Sequence, residues 1–197
     1  KVAQGAAMMT ETQLTIEIDK ACSDVLPNAT LELDLYDNLV AMGSVPFDDA
    51  DRAFAEQIRA SFTEEHIRSS IDTYGADVPL DMPLHDGLVP FDGTALQRAG
   101  STDVGDVSWI TPTAQVYGAC WAIGTPGHSW QVVAQGKAPA AHKAMLHAAR
   151  SIAATALDAI LTPGLIERAK AELRKKPAGK PYLCPIPAEV VPPSRRG

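Results

Sequence analysis

The chain carries 197 residues, 46% of them hydrophobic, with 24 acidic against 17 basic side chains and a formal net charge of -7. That content supports the core of one ordinary domain, or one and a fragment, and excludes a disordered chain. The acidic balance, with basic groups bunched only at Arg174-Lys175-Lys176 and Arg195-Arg196, excludes a nucleic-acid role.

Cys22, Cys120 and Cys184 form neither a CxxC pair nor an even framework, which points to a reducing compartment, the cytoplasm by default, and away from a thiolate zinc site. No apolar run approaches the roughly 18 to 20 residues that cross a bilayer, and no basic-then-apolar signal pattern opens the chain. Neither a membrane partner nor export is expected.

Lys1 to Thr10 reads as the end of a helix without a capping residue, so the chain is expected to begin inside an element. Gln13 to Asp19 alternates strictly, with Leu14, Ile16 and Ile18 on one face, and predicts a half-buried strand that needs sheet partners. After Pro27 the pattern turns helical: Asn28 or Thr30 caps, Leu31, Leu35, Leu39 and Met42 share a face, and Gly43 ends the element. Asp48 caps a second helix with the stripe Phe54, Ile58 and Phe62, and Asp49 and Asp51 suit the positive end of its dipole. Both read as core helices packed on a sheet.

Glu64-Glu65-His66 reads as solvated charge at a helix end rather than as catalytic carboxylates. His85-Asp86, among Pro79, Pro83 and Pro90, reads as surface loop. Tyr74 to Gly100 shows little periodicity, and loops of that length are functional, mobile or hide short strands. Gly100-Ser101-Thr102-Asp103 reads as a helix N-terminus with Ser101 or Thr102 as cap and Asp103 in the first turn, a place that can also hold an anion.

Ala114 to Ile123, holding Val116, Tyr117, Cys120, Trp121 and Ile123, is an almost uninterrupted apolar run and predicts a strand buried on both faces. Gly124-Thr125-Pro126-Gly127 ends it in a loop, and His128 follows. Ligands in open α/β sheets sit just outside the carboxyl ends of the strands, so an imidazole there faces the crevice, although by position alone a loop histidine is more often a solvated surface group. Lys137 to Leu161 predicts a helix about 37 Å long, with Ala141, Met145, Ala149, Ile152, Ala156 and Ile160 along its buried stripe. His142 and His147 on it diverge, unlike the i, i+4 pair of a helical metal site; His142 reads as a hydrogen-bonding residue near the helix start. Thr162 and Pro163 restart a helix over 165–176, and six prolines in the last 21 residues predict an extended tail.

The words GSTDVGDVSW, PTAQ, GTPGHSWQ, AHKAML and PYLCPIP resemble, in order and spacing, the C-terminal part of a dinuclear-metal amidohydrolase family. That family holds aminoacylases, acyl-glutamate carboxypeptidases and p-aminobenzoyl-glutamate hydrolases. The resemblance covers most of residues 1 to 190. It implies an α/β fold: over 28–176, a mixed sheet with flanking helices, the C-terminal part of a zinc-peptidase-like catalytic domain. Residues 1–27 would be the last helix end and strand of a small α+β lid or dimerisation domain, and 177–197 a Pro-rich tail.

The same resemblance implies His128 as a metal ligand, and Ser101, Thr102, Asp103, Trp130 and His142 as residues that line the cleft or orient its ligands. The family's catalytic base and remaining ligands precede the lid, so no catalytic residue is expected in this chain. A complete site would hold two divalent ions, zinc or manganese, and would hydrolyse N-acyl amino acids such as p-aminobenzoyl-glutamate, in a homodimer or a heteromer. The isolated chain would be inactive without an N-terminal half or a partner subunit. Two other classes stand beside this one: an assembly role for a short subunit, and a cysteine hydrolase on Cys120, weakened by apolar surroundings that raise a thiol's pKa.

Overall fold

The computed structural model describes residues 1–75, 77–94, 100, 102–175 and 181–191. Half of the described residues are helical, and none of them forms a strand. Their helices are α1 (Val2–Thr10), α2 (Ala29–Met42), α3 (Asp49–Arg59), α4 (Glu64–Tyr74), α5 (Val104–Ser108), α6 (Trp130–Gln135), α7 (Pro139–Leu161) and α8 (Leu165–Lys175).

The expected mixed sheet of an α/β fold is therefore overturned, and the hydrogen bonds say why. A strand is held by backbone bonds to a neighbouring strand. In the apolar run 114–123 those donors are spent elsewhere: the Ala122 N–H goes to the Gln135 side chain at 2.8 Å, the Ile123 N–H to the Pro83 carbonyl at 3.0 Å, and the Cys120 N–H to Gly118 at 3.0 Å. Tyr117 and Trp121 are exposed, so the run is not buried on both faces. Gln13 to Asp19 likewise carries no regular structure, and its apolar face of Leu14, Ile16 and Ile18 is exposed.

Capping side chains double as ties between helices. Asn28 accepts from the Leu31 N–H at 3.2 Å to start α2, and its amide donates to the Ala169 carbonyl of α8 at 2.9 Å. Glu172 of α8 accepts from the Ala29 and Thr30 N–H groups at 2.8 and 2.9 Å, a carboxylate at the positive end of α2. Asp48 and Asp51 form a reciprocal capping box on α3. Lys143 of α7 pairs with both, at 2.7 and 2.5 Å, although Asp51 is only 4% exposed.

The helix α7, about 34 Å long at 1.5 Å per residue, spans two small cores. Ala140 joins Ala55, Ile58, Leu84 and Ala122 in one, with Phe47, Phe54 and Phe62 against it. Ala159 lies against the other, formed by Leu31, Leu165 and Ala169. Of the stripe expected to be buried, Ala141 alone is. Ala140, Ala141, Ala144 and Ser151 are buried, while Met145, Ile152 and Ile160 are exposed. Polar hooks set this rotation: His147 Nε2 hydrogen-bonds with the Gly43 carbonyl at 2.8 Å, and Asn38 donates to Asp158 at 2.8 Å. By length and composition α7 is also apolar enough to cross a membrane, contrary to the expectation from run length.

The proline-punctuated loop turns out to carry a core residue. Leu84 is 1% exposed. Arg59 of α3 donates to the Leu80 and Met82 carbonyls, and Arg52 pairs with Asp86 at 2.5 Å, so His85-Asp86 belongs to a half-buried, ion-paired segment rather than a free surface loop. Glu64-Glu65-His66 opens α4, capped by Thr63, with Glu64 paired to Arg68 at 2.5 Å.

Candidate functional site

The loop between the apolar run and α6 is built by residues suited to a tight turn. Gly124 has φ +99, and a Cβ there would lie 2.8 Å from Ile67 Cγ1 and 3.0 Å from Phe62 Cδ2, so only glycine lets the loop press on α4. Thr125 Oγ1 donates to the Ala122 carbonyl and Ser129 Oγ to the Pro126 carbonyl, each at 2.6 Å. Ser129 also caps α6 by accepting from the Val132 N–H at 3.4 Å.

Gln135 fastens the far end of α6 to the same loop. Its carbonyl oxygen takes the Ala122 N–H, and its amide donates to Thr125 Oγ1 and to the Gln131 carbonyl, both at 3.0 Å. Buried polar groups that satisfy one another in this way fix geometry. Gln135 does not stand out among the residues singled out from the sequence. Its spacing of i, i+4 from Gln131 in an otherwise apolar stretch was the available signal.

His128 sits in this frame at φ +56, a left-handed conformation that histidine, like asparagine and aspartate, adopts more readily than most residues. The residue is exposed and lines a cavity of about 630 Å³ with Trp121, Gly127, Trp130, Val132 and Val133. No charged side chain lines it among the described residues.

Of the residues expected at the site, the structure brings together His128 and Trp130. Thr102, Asp103 and His142 do not line this cavity, and Ser101 lies outside the described residues. Asp103 is exposed before α5 and makes no capping bond; Thr102 Oγ1 accepts from the Val104 N–H at 3.3 Å. His142 is exposed in the first turn of α7, and His147 holds the structural hydrogen bond instead.

Gly105, Asp106, Ser108 and Trp109 clamp residues 23–26. A Cβ on Gly105 would lie 1.9 Å from the Ser23 carbonyl oxygen, so the helix and that segment touch backbone to backbone. Asp106 accepts from Ser23 Oγ at 2.7 Å and from the Tyr182 hydroxyl at 2.9 Å, and these bonds, Ser23's first, hold its carboxyl below the usual range. Ser108 Oγ accepts from the Leu26 N–H at 2.8 Å, and Trp109 Nε1 donates to the Asp24 carbonyl at 2.9 Å.

No group of three or more His, Cys, Asp or Glu side chains able to hold a metal ion occurs among the described residues. A whole metal centre, which needs three or four protein ligands, does not fit within them. His128 stands as one exposed donor. Burial pushes the Cys120 thiol above its ordinary pKa, the opposite of what a nucleophilic cysteine needs.

Over 98% of its length the chain is 40% identical to the B subunit of p-aminobenzoyl-glutamate hydrolase from Escherichia coli (strain K12), matching the C-terminal part of that protein. The chain spans 42% of the length of that relative. No protein-family model and no solved structure matches the chain.

Proposed function

We propose that this chain is the C-terminal part of an amidohydrolase acting on N-acyl amino acids of the p-aminobenzoyl-glutamate type. In this reading His128 donates one ligand to a divalent-metal centre, of zinc or manganese, whose other ligands and proton-moving carboxylate come from outside the chain. The observation that carries the reading is the 40% identity over nearly the whole chain to a hydrolase so named. The cavity beside His128 supports it, because an exposed imidazole held in a hydrogen-bonded turn at the rim of a hollow is a usable donor. A divalent ion, when bound, supplies polarisation of the amide carbonyl and a water made acidic enough to attack near neutral pH.

This chain's own residues do the holding. Ser129 and Gln135 fix the turn that presents His128, and Gly124 seats that turn on α4. The exposed apolar face of α7, with Met145, Ile152 and Ile160, supports the need for a partner: a face of that kind is normally covered. The test is hydrolysis of p-aminobenzoyl-glutamate by the chain alone and mixed with a polypeptide corresponding to the rest of the relative. Activity is expected from the mixture and not from the chain. His128→Ala should lower it by more than the roughly 10- to 100-fold that outer partners of metal ligands are worth. Full turnover by the chain alone would refute the reading.

A further inference from the structure

We propose that the hollow between Trp121 and Trp130 is the subsite for a flat aromatic acyl group, with the two indoles as specificity-determining residues and Gln135 as the residue that positions them. This rests on the amidohydrolase reading and goes beyond it by assigning the part of the substrate that this chain recognises.

Both indoles are solvent-facing, Trp121 39% and Trp130 63% exposed, and Val133 beside them is 79% exposed. They lie on opposite sides of the His128 turn in sequence and line one cavity. At about 630 Å³ the cavity falls within the roughly 300 to 1,000 Å³ typical of small-molecule sites, which are apolar hollows with a few placed polar groups. Here the placed polar side chains are those of His128 and Ser129. Two large exposed aromatics gathered in one hollow beside placed polar groups suit the binding of a flat apolar ligand.

Charge decides which end of an N-acyl amino acid fits. The cavity has no lysine or arginine among its lining residues, and the chain as a whole carries a net charge of -7. An amino-acid carboxylate would find no cationic partner there, whereas a neutral ring gains by stacking or edge contact with indole. The spacing of the two indoles is not left to chance. Gln135 holds the Ala122 N–H, next to Trp121, from the helix that begins at Trp130.

The experiment titrates the full chain with 4-aminobenzamide, a neutral aromatic amide, and with cyclohexanecarboxamide, of similar size without a π face, by ligand-observed NMR. The wild type should prefer the aromatic amide, and Trp121→Leu or Trp130→Leu should weaken its binding about three- to tenfold, as expected for one lost aromatic contact. Trp130→Phe should keep most of the preference, which separates a lost ring from a misfolded loop; circular dichroism checks the fold of each variant. Gln135→Leu should weaken binding with both indoles in place. Equal binding of the two amides, no binding of either, or leucine variants that bind like the wild type would overturn the subsite. The amidohydrolase reading fails separately, if the chain with its counterpart cleaves no N-acyl amino acid while the aromatic preference holds.

Discussion

Single residues at the site do structural tasks that set its chemistry. Gln135 is buried, and replacing it with leucine leaves the Ala122 N–H without its acceptor. Gln135→Leu is expected to cost about 1–3 kcal/mol, read as a lower urea midpoint with unchanged slope. Gly124→Ala meets both a positive φ and a crowded Cβ and is expected to cost about 1–3 kcal/mol; an unchanged midpoint would show that the loop relaxes freely. His128 was legible in the sequence as the residue after a glycine-proline turn. Trp130 was implied beside it by the resemblance. The left-handed backbone of His128 and its second indole neighbour, Trp121, were not legible, because they arise from a turn closed by Ser129 and from Gln135 folding back across α6.

Elements were read well where their signals are local. The caps Asn28 and Asp48 and the stop at Gly43 came from the sequence because capping needs one side chain and one or two neighbouring N–H groups. Long-range choices were not legible. Apolar run 114–123 looks like a strand, but a strand exists only with a partner, and a glutamine side chain and a loop carbonyl take its donors. The buried face of α7 was misread because hydrophobicity favours Met145 and Ile152, whereas His147 and Asp158 anchor the opposite side. The Leu84 plug, in a loop without periodicity, is expected to cost about 2–5 kcal/mol when cut to alanine, measurable by urea unfolding.

Between elements, charge sets a pH window. Hydrogen bonding to Lys143 holds the Asp48 carboxyl below its ordinary range, and Asp106 is held down by Ser23 and then Tyr182. Groups with depressed pKa stabilise the fold above the unfolded value, 3.8 for aspartate, and lose that contribution as pH falls through the folded value. Lys143 is raised by the same bonds to Asp48 and Asp51, so its contribution is complete below 10.5 and fades as pH rises beyond it. Thermal unfolding of the chain is therefore expected to show a plateau across neutral pH with loss below about 4. Lys143→Met should lower the plateau, and an unchanged plateau would show that the α3–α7 tie contributes nothing.

At the scale of the molecule, the chain supplies a framed imidazole and an aromatic hollow but no cluster of metal ligands among its described residues. The proposed function therefore depends on completion from outside. The direct measurement is divalent-ion affinity, zinc by competition with a chromophoric chelator, for the chain alone, for the chain with the polypeptide corresponding to the rest of the relative, and for His128→Ala in that mixture. The chain alone is expected to hold zinc only weakly, the mixture to hold it at least about a hundredfold more tightly, and His128→Ala to remove most of this gain. Equal affinity with and without the counterpart, or an unchanged affinity in His128→Ala, would contradict a shared metal centre.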